Sequence, residues 1–134
     1  MSAMSNYLEQ SLINAILRAT AFSSPNVADL HLALFVADPT DANITTNEVS
    51  ASWYERQPTG TWTAPGAESG QSSNTSSVTF PAVSGDSVTI THFGIYDSSL
   101  SGNLLLHGPL TTPKTMDDAD VVSFAPGSLV VTMA

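Results

Sequence analysis

The chain of 134 residues contains no cysteine, which excludes a disulfide framework, a thiolate nucleophile and any Cys-ligated zinc or iron–sulfur centre. Positive charge is nearly as scarce. Arg18, Arg56 and Lys114 stand against 12 acidic side chains, and the formal net charge is -9 at pH 7. Nonspecific nucleic-acid binding requires Lys and Arg to neutralise phosphates, so direct binding to DNA or RNA is not expected, and anionic membrane surfaces are disfavoured on the same ground. Long apolar runs are missing too. The mostly apolar stretch Leu12 to Leu17 is far too short to cross a bilayer. The N-terminus lacks the basic segment and following apolar run of a secretory signal, so a soluble, unexported chain made in the cytosol is expected. Asn43-Ile44-Thr45 and Asn74-Thr75-Ser76 then read as chance glycosylation triplets.

What the chain does contain is apolar residues at an ordinary 42% together with 19 serines and 15 threonines. That balance suits one folded domain, expected over residues 5–134, with a neutral hydroxyl surface of acidic bias. The N-terminal segment carries the one clear helical pattern. Asn6 is the expected cap, with Glu9 completing a capping box. Leu8, Leu12, Ala15, Ile16 and Ala19 recur at helical spacing, and Ile13 and Leu17 widen the stripe, predicting a helix over about 6–19. Either this helix packs on a sheet or it docks on a neighbouring subunit.

From Leu30 to Val36 the period changes to that of a strand with apolar residues on both faces, the mark of a covered strand. Residues from about 38 to 76 read as long ordered loops with short strands, including Thr59 to Ala64. Beyond them, Val78-Thr79-Phe80, Val88 to Tyr96, Leu104 to His107, Val121 to Phe124 and Leu129 to Met133 are strand candidates. Turn chemistry at Pro81, Ser84-Gly85-Asp86, Ser101-Gly102-Asn103, Pro113-Lys114 and Pro126-Gly127 separates them. The expected fold is mainly β, an antiparallel β-sandwich with one N-terminal α-helix, a jelly roll being preferred among sandwiches. The absence of heptads, collagen-like triplets and internal repeats argues against a fibrous shaft.

Catalytic constellations are not legible. His31, His92 and His107 lie inside strand candidates without short ligand spacing, and each reads as a local hydrogen-bonding group. Asp117, Asp118 and Asp120 stop short of a calcium loop, which needs further oxygen ligands and a later bidentate Glu. There is no G-x-S-x-G elbow and no Gly-rich phosphate cradle. No enzyme activity, metal or cofactor is therefore expected. Trp53, Tyr54 and Trp62, on loops, suit core closure, a subunit interface or a carbohydrate contact. Arg56 is expected to pair a carboxylate or a carbonyl within its own loop.

An ordered series of blocks carries a resemblance. It includes Ser5-Asn6-Tyr7-Leu8-Glu9, Leu32-Ala33-Leu34-Phe35 with Asp38-Pro39-Thr40, and Tyr54-Glu55-Arg56-Gln57. It continues through Thr91-His92-Phe93-Gly94-Ile95-Tyr96-Asp97, Gly102-Asn103-Leu104-Leu105-Leu106-His107-Gly108 and Phe124-Ala125-Pro126-Gly127-Ser128-Leu129. From about residue 5 onward the chain resembles small structural proteins of tailed bacteriophages, commonly labelled tail fibre or minor virion proteins. The resemblance implies a virion protein assembled in the host cytoplasm, and it implies no catalytic residues. The size of one compact unit favours a capsid decoration (cement) role, with the major capsid protein and copies of itself, as a trimer, for partners. The alternative is a tail or fibre component meeting other tail proteins or a host surface glycan. Tyr7, Leu8, Leu12, Trp53, Tyr54, Arg56 and Trp62 are the expected interface residues.

Overall fold

The computed structural model describes residues 2–67 and 69–133. Strand β1 (Ala3–Met4) leads directly into α1 (Asn6–Arg18), and β2 (His31–Phe35) and β3 (Gln57–Pro58) follow. Then come β4 (Gln71–Ser73), β5 (Val78–Thr79), β6 (Val88–Tyr96), β7 (Leu104–Met116), β8 (Ser123–Phe124) and β9 (Val130–Thr132). An antiparallel five-stranded sheet in the order β1-β7-β6-β2-β3 forms one layer. The other layer consists of two two-stranded ribbons, β4-β9 and β5-β8. The mainly antiparallel β class with an N-terminal helix is present; among the described residues the strand orders do not establish a jelly roll. Strands of two or three residues in the second layer are interrupted by Pro81, Pro126 and Gly127, and such short strands cannot ladder into a continuous second sheet.

Strand β2 shows why alternation predicts two covered faces. Leu32 and Leu34 enter the main core with Val78, Phe80, Ile95 and Phe124, while Ala33 and Phe35 turn to a smaller cluster with Tyr96 and Leu104. These four of the five β2 residues are fully buried, and each large one contributes about 1.5–3 kcal/mol by leaving water. Strand β6 runs beside β2 from Tyr96 opposite His31 to His92 opposite Phe35. Gly94 is a point of tight packing: a Cβ there would lie 2.8 Å from both Leu104 and Phe35 side-chain atoms.

Several local expectations are corrected. The helix cap is Ser5, whose hydroxyl accepts from the Leu8 amide at 3.2 Å, and not Asn6, so Glu9 is one position too late for a capping box. The Ser5 hydroxyl also donates to the Leu104 carbonyl, a tertiary bond that selects Ser5 over its neighbour. The helix ends at Arg18, with Ala19 as a left-handed C-cap. Pro113-Lys114 is no turn: β7 continues through it, with Lys114 opposite Ile90 and Met116 opposite Val88. The expected strand over Thr59 to Ala64 contracts to a single bridge between Trp62 and Asn74, and β3, β4 and two one-turn 3-10 helices occupy the loop-rich first half.

Asn74 pins that half to the C-terminal segment. Its buried amide donates to the carbonyls of Ser76 at 2.8 Å and Ala125 at 3.0 Å and accepts from the Leu129 amide at 2.9 Å. The side chain is thus fully engaged, in keeping with the chance reading of its glycosylation triplet.

Candidate interaction surface

The seven residues expected at an interface separate into two groups. Trp53, Tyr54 and Arg56 converge around Glu48. Tyr7, Leu8 and Leu12 lie on α1, and the helix shares a cavity with Trp62.

At the first place Arg56 forms a bidentate pair with Glu48, Nε to Oε1 at 2.7 Å and Nη2 to Oε2 at 2.8 Å. Its Nη1 donates to the carbonyls of Ser101 at 2.7 Å and Ser98 at 3.3 Å. The guanidinium lies 3.5 Å above the centre of the Tyr96 ring, and the Tyr96 hydroxyl donates to Asn43 Oδ1 at 2.5 Å. Only 8% of the Arg56 side chain and 14% of Glu48 is exposed. The expectation that Arg56 binds a carboxylate in its own loop holds, and the structure adds two carbonyls of the 98–101 turn. Arg56 therefore ties the 48–56 loop, β6 and the 98–101 turn into one unit.

Tyr54 completes this unit. Its hydroxyl accepts from the Leu34 amide at 3.1 Å and donates to Glu48 Oε1 at 2.8 Å, and its ring stacks on Phe80. Burial, reinforced by the Glu48 charge, holds the Tyr54 hydroxyl well above the ordinary tyrosine range. Tyr96 is pushed up to about 12 by the same two causes in the same order. Burial by itself would lower the Arg56 pKa, but the hydrogen bond and charge of Glu48 outweigh it and the net shift is upward. Trp53, half-buried, packs edge-on against Tyr54 and against the main core.

Helix α1 has the opposite character. It rests on β7 through Leu8, which is 5% exposed, while Ile13, Ile16 and Leu17 are 56%, 76% and 77% exposed. Tyr7 is exposed and Leu12 half-buried. Only the inner edge of the apolar stripe predicted from the sequence is covered. Between the helix, the following connection and the main sheet lies a cavity of about 350 Å³ with Leu8, Phe22, Leu30, Trp62, Leu106 and Met133 in its lining. Trp62 reaches it with its indole nitrogen donating to Thr59 Oγ1 at 3.1 Å. Sequence reading missed Phe22, Leu106 and Met133 because they come from three separate segments with no shared local pattern.

The polar candidates are absorbed locally. His31 Nδ1 lies 2.9 Å from the Asp29 carbonyl and His92 Nδ1 2.8 Å from the Thr91 hydroxyl. His107 Nε2 meets Asp41 Oδ1 at 2.9 Å, fastening the 38–41 turn to β7. Asp120 accepts from the Asp117 amide at 2.8 Å, and Asp118 from the Gly85 amide at 2.9 Å, so two of these carboxylates secure turns. Among the described residues no group of three or more His, Asp or Glu side chains could hold a metal ion.

A β-rich unit with engaged polar groups and an uncovered apolar helix face has the features of an assembly component. The chain belongs to the family described as podophage GP4 fiber I protein gp80, whose model matches residues 3–132. It is a structural protein of a phage, associated with the virion. Comparison with curated proteins finds no match.

Proposed function

We propose that this chain is a fibre component held on the virion by the outward face of α1, which docks on a neighbouring tail protein. The observation that carries this reading is the exposure of Ile13, Ile16 and Leu17 together on one face of α1. Single exposed apolar residues need no explanation, but a cluster on one helix face marks an interaction site. Covering the three would contribute about 1.5–3 kcal/mol each. Family membership supports the fibre role over the capsid decoration role that the size of the chain favoured. With a net charge of -9, the protein would meet a tail partner carrying basic groups around an apolar groove faster than one of its own charge.

The test uses virions assembled with the wild-type chain or with an Ile16→Asp/Leu17→Asp variant, analysed by gold labelling and by mass spectrometry. The wild-type chain is expected in few copies at the tail, and the variant, though folded, is expected to be lost from the particle. Label spread over the whole head in many copies would instead establish a shell-binding role, and undiminished incorporation of the variant would remove α1 as the docking face.

A further inference from the structure

The hairpin turn between β6 and β7 carries the most exposed large aliphatic side chain among the described residues. Leu100 is 81% exposed, within the stretch Ser98-Ser99-Leu100-Ser101-Gly102-Asn103. Hydrogen bonds fix the turn that bears it. Arg56 Nη1 donates to the carbonyls of Ser98 at 3.3 Å and Ser101 at 2.7 Å. Asp97 accepts from the Asn103 amide at 2.7 Å and from the Asn103 side chain at 2.9 Å, and the Ser98 hydroxyl donates to the Leu100 carbonyl at 2.7 Å. Ser101 and Gly102 have left-handed φ angles of 53° and 74°. A Cβ at position 102 would lie 2.6 Å from Asp97 Oδ1, so glycine is required there. The turn thus holds Leu100 in place, and little conformational freedom remains to be lost when a partner covers it.

The cavity beside α1 has the complementary character. Its volume is about 350 Å³, whereas removing one leucine side chain from a protein core opens about 150 Å³, so a leucine fits with room to spare. No charged side chain lines it among the described residues. Its polar side-chain groups are already engaged: Ser72 Oγ donates to the Thr63 carbonyl at 2.6 Å and Trp62 Nε1 to Thr59 Oγ1 at 3.1 Å. An occupant gains there by burying apolar surface.

Charge narrows the choice of occupant. With a net charge of -9, two copies of the chain repel each other wherever their carboxylates meet. Residues 98–103 and the cavity wall are both free of charged side chains, so these two patches can approach without that repulsion. We infer that Leu100 of one copy inserts into the cavity beside α1 of a second copy, a contact between two different patches that links copies held side by side on a particle. One leucine gives a weak contact between free chains, and avidity multiplies it where copies are already close. The contact uses none of Ile13, Ile16 and Leu17, and it stands or falls independently of the docking role proposed for the helix.

The experiment is disulfide trapping, which is unambiguous in a chain without cysteine. Ser99→Cys, beside the intact Leu100, is mixed with Met133→Cys at the cavity wall, at high concentration and under mild oxidation. The 99–133 cross-link between copies should form at least about tenfold faster than the 99–17 cross-link from Ser99→Cys and Leu17→Cys, since burying one leucine gives a preference of that size. Adding Leu100→Asp to the Ser99→Cys chain should abolish the preference, and adding the conservative Leu100→Met should keep it. Both changes lie at an exposed tip and leave the fold intact. The assignment is overturned if the 99–133 pair forms no faster than the 99–17 pair, or if Leu100→Asp leaves its rate unchanged.

Discussion

The 48–56 loop and helix α1 invert each other. In the loop a charged side chain is buried, whereas on the helix large aliphatic side chains face water. Both segments looked like contact surfaces in the sequence, and they have become opposites because burial follows the satisfaction of groups and not their hydropathy. Arg56 can leave water because Glu48, two carbonyls and an aromatic face receive its guanidinium, which offsets a desolvation cost that an unpaired charge could not bear. Ile16 and Leu17 remain outside because α1 packs on β7 by one edge, and among the described residues nothing covers its other side.

That contrast is broken most severely at Arg56. Arg56→Ala strands Glu48 without its partner, and a loss of about 3–5 kcal/mol is expected by urea denaturation. The Arg56→Met/Glu48→Gln double variant should lose less than the sum of its single variants, the coupling being read from a double-mutant cycle.

Next in size is Leu8→Ala, which removes the buried contact of the helix with the sheet and should cost about 2–4 kcal/mol. The companion change Ile16→Asp/Leu17→Asp, on the exposed side of the same helix, should stay within about 0.5 kcal/mol per site. If both changes cost the same, the distinction between the faces of α1 fails.

A smaller effect than that of Leu8→Ala at neutral pH, and the sharpest one at high pH, belongs to the tyrosines. Tyr54 and Tyr96 both have folded-state pKa values above the unfolded value of about 10. The unfolded chain therefore releases these protons first, and the associated stability, fully present below pH 10, declines as pH rises, for Tyr96 until about 12. The slope should approach about 1.4 kcal/mol per pH unit for each tyrosine. Tyr54→Phe should lose about 1–2 kcal/mol at pH 7, from the unpaired Leu34 amide and the loss of one of the two hydrogen bonds to Glu48 Oε1, and should flatten the decline between pH 10 and 12. Urea midpoints measured across that range check both statements.

Elements with a strong local pattern were legible in the chain. Strand β2, buried on two faces, and β6, with its boundaries at Val88 and Tyr96, follow from alternation and flanking turn residues, and α1 follows from a 3.6-residue period. The cap was misplaced by one residue because its selection depends on the Leu104 carbonyl, 99 positions away. Pro113-Lys114 looked like a stop because proline usually ends a ladder, yet an excursion in β7 removes the need for its N–H and lets the strand continue. The aromatic candidates were found, but a loop tryptophan has the same local signature whether it closes a core or meets a partner.

Composition and local periodicity account for the lack of thiolate chemistry and for the principal helix and strands. Without cysteine, thiolate chemistry was excluded at the level of composition, and alternation set the principal strands. Where each polar group finds its partner depends on long-range packing: Arg56 inside on Glu48, His107 on Asp41, Lys114 over Phe124. The same packing decides which edge of α1 is covered. The physical reason is one of range. Backbone conformation and burial period are governed by neighbours a few residues apart, whereas the partners that make a buried charge tolerable or leave an aliphatic face bare come from segments tens of residues away.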